Sequence, residues 1–268
     1  MPQPPFAPMT VTDQMGRRVT LRVPATRIVS VVPSQTELLA HLGLESSVAG
    51  ITKFCVHPAR WHRDKTRVGG TKKLDLEKIR SLAPDLILAN KEENTQEDLE
   101  KLMEDFPVWI SDIRCLAQAT EMIERVGVLT GRAPEARETA RQITEGFERL
   151  SAGTSRLLPV AYFIWRDPWM VAGGDTFIDD MLFRAGFQNC FGSLERYPVV
   201  DPRSAAGAVM LLSSEPYPFR EKHAAELRER VPGCEIRLVD GEMFSWYGSR
   251  LLQAPGYFRE LRRSLGRL

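Results

Sequence analysis

The chain has 268 residues, 43% hydrophobic and 26% charged, with a formal net charge of +1. That length builds one large globular domain or two smaller ones with ample core. The near-neutral balance excludes recruitment of nucleic acid or of an anionic membrane by a global field. No stretch approaches the ~20 consecutive apolar residues that a membrane-spanning helix needs. The four cysteines, Cys55, Cys115, Cys190 and Cys234, are too scattered for a disulfide framework or a C-x-x-C metal site. Reduced, mostly buried thiols are expected. The N-terminal residues carry neither a basic start nor an apolar export region, so the sequence as it stands predicts no export. A leader already removed would leave the same pattern.

Residues 11–23 alternate in polarity, with Asp13 and Gly16 as turn formers, and predict an edge hairpin. Residues 27–33 form a short apolar run typical of a buried parallel strand. Ser34 and Glu37 have the spacing of a capping box, and Leu38, Leu39 and Leu42 carry the following helix to Gly43. Residues 47–51 predict a second strand. Asp75 caps a helix bearing Leu76, Ile79 and Leu82, which Pro84 breaks. Residues 85–89 read as strand, 96–103 as helix, 108–111 as strand, and 116–130 as a helix stopped at Gly131.

The stretch 133–151 organises the rest. Its apolar residues Ala136, Ala140, Ile143, Phe147 and Leu150 recur in steps that place one narrow stripe on a helix. Pro134 suits a first helical turn, and the rise per residue gives a rod of roughly 30 Å. It reads either as a surface helix of one domain or as a strut joining two lobes; alternation of strand and helix on both sides favours the strut. Beyond it, residues 159–165 predict a strand, and 176–185 a helix capped by Asp175 and stopped by Gly186. Then follow a strand at 208–214, a helix at 220–230, a strand at 235–239 and a closing helix at 248–265. The basic residues Arg259, Arg262, Arg263 and Arg267 read as the solvated face of that last helix. The predicted class is α/β: two Rossmann-like lobes with parallel sheets, joined by one long backbone helix. The expected division is a first lobe over 1–132, the helix over 133–155 and a second lobe over 156–268.

Ligands of open α/β sheets bind beyond the carboxyl ends of the strands. Trp165, Trp169 and Trp246 all fall in predicted loops of the second lobe, joined by Tyr197, Tyr217, Phe219, Phe244 and Tyr247. Rings gathered at one sheet edge offer a flat apolar surface to a ligand; the alternative is that they cap their own core. Glu215, set between Ser214 and Pro216, could accept hydrogen bonds from a ligand or cap the next helix. Arg166 and Arg250 suit an anionic group or pairing with Glu215 or Asp167. Lys72, Glu92 and Glu93 are the polar candidates of the first lobe. His57 and His62 are five apart, off the spacing that sets two ligands on one helix face. His41 and His223 sit in helical patterns and read as surface or structural residues. No metal site is predicted. No nucleotide-binding or hydrolase motif follows any strand. The turn at Gly173, Gly174 and Asp175 could present amides to an anion, or be simply a turn.

Residues 11–20, residues 27–37 and the pair Leu42 and Gly43 resemble the opening of the helical-backbone substrate-binding proteins of ABC transporters. These are receptors for cobalamin, ferric siderophores and haem. Residues 68–71, 75–79 and 82–86 are similar to the next block of that family, and 173–178 with Ala185 and Gly186 to its second-lobe block. The likeness runs in order along nearly the whole chain, and the cobalamin-binding branch is the most similar. It implies two lobes, one ligand in the cleft between them, little closure on binding and no catalysis. It also implies an acidic residue on each lobe that docks on the permease. Glu77 matches the first. At the second, Arg203 stands where an acid is expected, so the acid is absent or replaced by Asp201.

The resulting expectation is a non-catalytic, monomeric binder of a corrinoid, a ferric siderophore or haem, without intrinsic cofactor and with an ABC permease as partner. The expected ligand-binding residues are Lys72, Glu93, Trp165, Trp169, Tyr197, Glu215, Phe219, Trp246, Tyr247 and Arg250. The resemblance implies a periplasmic or cell-envelope location; without a leader, a cytoplasmic binder is the alternative. The competing reading is an enzyme or a metal-handling protein using Glu215, His57 and Tyr247 as acid–base or ligand groups.

Overall fold

The computed structural model describes residues 8–151 and 157–266. It comprises two compact units. Among the described residues, unit 1 holds 8–113, 117–142 and 247–250, and unit 2 holds 114–116, 143–151, 157–246 and 251–266. The expected boundary at 155 and the residue Arg267 lie outside the described residues.

Unit 1 is built on a five-stranded sheet in the order Thr66–Arg67, Val48–Ile51, Ile28–Ser30, Leu86–Asn90, Val108–Ser111. Every pairing is parallel. Ile28–Ser30 and Leu86–Asn90 are buried throughout, as strands covered on both faces must be. Val29, Ile87 and Val108 meet Ile79 and Leu99 from the neighbouring helices to make the core. The edge hairpin pairs Pro8–Thr12 with Arg18–Arg22. Its turn is held by the buried Asp13 carboxylate, which accepts from the backbone of Met15 and Arg17 and from the Arg17 guanidinium.

The first helix, Pro33–His41, corrects one expectation. Its cap position is Val32, with no side-chain cap, because Pro33 already fills the first helical turn. Ser34 and Glu37 therefore lie inside the helix. Asp75 does cap Leu76–Leu82, accepting from the Lys78 amide at 3.0 Å.

The long helix spans Ala133–Ser151, and its stripe Ala136, Ala140, Ile143, Phe147 and Leu150 is buried along its whole length. Arg141 pairs with Glu138 on the outer face. The chain passes from unit 1 to unit 2 inside this helix, after Gln142.

In unit 2, Leu158–Trp165 pairs in parallel with Val209–Ser213, which pairs in parallel with Ile236–Val239. Phe187–Asn189 adds in parallel at residues 158–160, and Met170–Val171 antiparallel at the other end of the same strand. Helix Phe177–Arg184 is capped by Thr176, whose hydroxyl accepts from the Asp179 amide at 3.1 Å. Asp175, the expected cap, instead adopts φ +55° and receives the Arg114 guanidinium at 2.9 and 3.0 Å. The closing helix is also shorter than its periodicity suggests. Ser249–Leu252 is a 3₁₀ turn, and the α-helix runs Ala254–Ser264. Pro255 stands in its first turn, where the missing amide proton costs no intrahelical bond.

Arg262 is buried rather than solvated. Its guanidinium donates to the Gly186 carbonyl at 2.8 Å and to the Ala185 carbonyl at 3.4 Å, just past the end of helix Phe177–Arg184. Of the cysteines only Cys55 is buried. Among the described residues, no helix is long and apolar enough to cross a membrane.

Candidate ligand-binding site

Unit 2 presents its rings at the carboxyl edge of its sheet. Trp165 ends strand Leu158–Trp165 and is 40% exposed. Its neighbour is Tyr217, from the loop after Val209–Ser213, with ring centroids 5.5 Å apart at 69°. The Tyr217 amide donates to the Ile164 carbonyl at 3.3 Å, tying that loop to the strand. Tyr217 leans on Phe219 at 4.8 Å, and Phe219 stacks on Trp169 at 5.8 Å and 8°. These offset and edge contacts are the geometries the ring quadrupole favours.

Exposure separates the rings. Trp169 and Phe219 are each 6% exposed and belong to the core of unit 2 with Phe163 and Leu212. Both were expected to bind ligand. The chain turns back at Asp167, φ +61°, and returns Trp169 onto Phe163. Arg166 lies 5.9 Å from the Trp169 ring and is held by Glu226 at 2.8 Å and by Asp167. Tyr197 is half-buried, with the Arg196 guanidinium 5.6 Å from its ring.

Trp246 is buried, and its indole donates to Glu215 at 2.9 Å. The Ser245 hydroxyl donates to the same carboxylate oxygen. Glu215 is thus an internal acceptor that fastens residues 245–246 to the end of the central strand. Burial pushes its carboxyl up, and Glu242 and Asp240 add to the rise, against the two donors that hold it down. Gly241 allows this close fit, since a Cβ there would sit 2.7 Å from Glu215 Cγ. Phe244 is fully buried against Tyr162 and Phe258. Trp246 and Glu215 are thus hydrogen-bonded to each other within unit 2.

In unit 1, Tyr247 and Arg250 have similar internal roles. The buried Tyr247 hydroxyl donates to Glu93 at 2.9 Å. Burial, then the Glu93 charge, hold its proton on well above the usual phenol range. Arg250 grips Glu37 with two nitrogens at 2.7 and 3.1 Å. These pairings use groups that were expected to reach ligand amides or carboxylates. Lys72 remains exposed and donates to the Glu92 carbonyl.

The residue overlooked in the sequence is Phe54. It follows strand Val48–Ile51, is 51% exposed, and has the Lys53 ammonium 5.1 Å from its ring. The loop beneath it is fixed: the Phe54 amide donates to Thr52 Oγ1, and buried Cys55 contacts Thr36 and Thr52. Burial pushes the Cys55 thiol up, as it does for a thiol packed in a core. The signal was available, because Phe54 is an aromatic directly after a parallel strand.

Glu77 is exposed on the first turn of its helix and pairs with Arg80 at 2.8 Å. Segment 199–204 borders a surface cavity of about 520 Å³ lined by Pro168, Trp169, Val199, Asp201, Arg203 and Arg230. Asp201 is held down to about 2 by the Arg203 guanidinium, which donates to it at 2.9 Å. Among the described residues, no three His, Cys, Asp or Glu side chains gather as a metal site.

The model of a family described as periplasmic binding protein matches residues 28–207. An uncharacterized ABC transporter substrate-binding lipoprotein of Bacillus subtilis, YvrC, is 26% identical over 185 residues. That match covers 65% of this chain and 58% of the relative. The periplasmic vitamin B12 binding protein of Vibrio cholerae superposes with a TM-score of 0.76 at 20% identity, over 91% of this chain and 99% of that one. A periplasmic heme-binding protein of Roseiflexus sp. RS-1 superposes with a TM-score of 0.75 at 21% identity, over 88% and 98%. At these identities the superpositions establish the fold alone.

Proposed function

Since the chain belongs to the periplasmic binding protein family, we propose that it is a non-catalytic substrate-binding protein for a large planar metal chelate, of the corrinoid or haem class, delivered to an ABC-type permease. The observation that carries this reading is Trp165. A large ring stands 40% exposed at the carboxyl end of a parallel strand, against the half-buried Tyr217. Exposed aromatics at that edge are where such sheets meet ligands. Phe54 in unit 1 is likewise an exposed ring directly after a parallel strand, with a cation beside it. Relatives named as vitamin B12-binding and heme-binding proteins support the ligand class. Glu77 is the exposed carboxylate for permease docking, and the Asp201–Arg203 pair departs from a free second acid.

The test is titration of cyanocobalamin and of hemin, followed by Trp emission and visible absorbance. Wild-type protein is expected to bind one of them at micromolar concentration or tighter. Trp165→Ala should weaken that binding roughly 10- to 100-fold, the loss a buried aromatic anchor commonly brings. Absence of binding by either ligand up to high micromolar overturns the reading.

A further inference from the structure

Behind Trp165 and Tyr217 lies a histidine to which the sequence assigns only a surface or structural place. His223 is buried in the first turn of helix Glu221–Arg230. Its Nδ1 accepts from the Arg220 backbone amide at 2.9 Å. A nitrogen that accepts from an amide carries no proton, so the ring proton sits on Nε2. Nε2 lies 3.2 Å from the Tyr217 hydroxyl and donates to it. The imidazole also meets the Tyr217 ring at 5.3 Å and the Phe219 ring at 5.6 Å, both edge-on. One neutral imidazole thus joins the helix start to the ring that supports Trp165.

We propose that His223 is the positioning residue of the Trp165–Tyr217 platform, and that its neutral tautomer holds the platform in its binding arrangement. The proposal rests on the reading of Trp165 as a ligand-facing ring. Protonation would place a proton on Nδ1, facing the Arg220 amide, and two donors would then oppose each other. The bond to the helix start is lost, and the loop bearing Tyr217 loosens with it. The groups that face the imidazole are Arg166, Arg220, Lys222 and Glu226, together with the Tyr217 and Phe219 rings. Burial, then the Lys222 and Arg166 charges, push its titration below the ordinary value of 6.5, and Glu226 opposes them only in part. The neutral form is therefore the working form at pH 7. The arrangement is complete above 6.5 and is lost as pH falls toward the lowered folded value.

The test needs no ligand. Acrylamide quenching is measured from pH 8 to pH 4.5, and the contribution of Trp165 is taken as the difference between wild type and Trp165→Phe. It should be constant at pH 7–8 and rise as pH falls below 6.5. His223→Gln offers the Arg220 amide an acceptor and Tyr217 a donor but cannot become charged, so it should keep the pH 7 value and flatten the rise. His223→Ala should show the low-pH value throughout. Nearby carboxylates titrate alike in wild type and in His223→Gln, so they cannot produce the difference. An acid response in His223→Gln equal to that of wild type overturns the proposal. The binding titration is separate: if Trp165→Ala leaves cyanocobalamin and hemin affinity unchanged, the function reading fails whatever His223 does. If wild type binds one of them, affinity should fall about five- to tenfold on acidification, and His223→Gln should not show that fall.

Discussion

Two segments of this protein have almost the same aromatic content and different fates. Residues 165–169 carry two tryptophans, and residues 244–247 carry Phe244, Trp246 and Tyr247. In the second segment, which begins in the short helix Glu242–Ser245, all three rings are buried, and both polar tips have internal partners: the Trp246 indole on Glu215 and the Tyr247 hydroxyl on Glu93. In the first segment, Trp169 folds back onto Phe163 and Phe219, while Trp165, the last residue of its strand, stays at the sheet edge with one side on Tyr217. An aromatic in a loop is therefore not evidence of a ligand surface until its neighbours are known. The difference lies in what the chain does next. A left-handed Asp167 turns one tryptophan inward, whereas the last residue of the strand before it stays 40% exposed.

The sharpest way to break the contrast is to truncate rings of each segment in turn. Phe244→Ala removes a ring that touches Tyr162 and Phe258 and should cost about 3–5 kcal/mol of stability, seen in chemical denaturation. Trp246→Ala should cost a similar amount and also strip Glu215 of a donor. Trp165→Ala should change stability by no more than about 0.5 kcal/mol, as exposed positions do, while weakening ligand binding. Equal destabilisation by Trp165→Ala and Trp246→Ala would erase the distinction.

A smaller effect concerns the carboxylate behind the buried segment. The Glu215 pKa is raised in the folded state above its ordinary 4.5. The fold therefore favours the protonated form. That contribution is fully present below 4.5 and is lost as pH rises through the raised folded value. Glu215→Gln should flatten this slope in a stability–pH profile and be no less stable than wild type at pH 7. A local effect belongs to Thr176, whose hydroxyl caps Phe177–Arg184. Thr176→Ala should cost about 1 kcal/mol, whereas Asp175→Ala should not show the loss of a cap.

The elements with long apolar patterns were legible because burial follows period. The stripe of Ala133–Ser151 and the parallel strands are examples. Caps were less legible. Asp175 and Thr176 are both good caps, and only the backbone angle at Asp175 decides between them. The site was least legible. Arg250 meets Glu37 across 213 positions and Tyr247 meets Glu93 across 154, so no local pattern announces that these groups are used internally. The segment 247–250 even groups with unit 1, although the chain on either side of it belongs to unit 2. Phe54 follows a parallel strand as the rings of the second half do, but no second Phe, Tyr or Trp stands beside it in residues 52–57.

Five tryptophans make the central contrast measurable in one spectrum. The protein is labelled with 5-fluorotryptophan, the lines are assigned by single Trp→Phe variants, and fluorine NMR follows addition of cyanocobalamin and, separately, of gallium protoporphyrin, a diamagnetic stand-in for haem. The Trp165 line should shift with a bound ligand, while the lines of Trp169 and Trp246 move far less. A saturable shift at Trp169 or Trp246 with Trp165 unmoved would contradict the assignment of the ligand-facing ring.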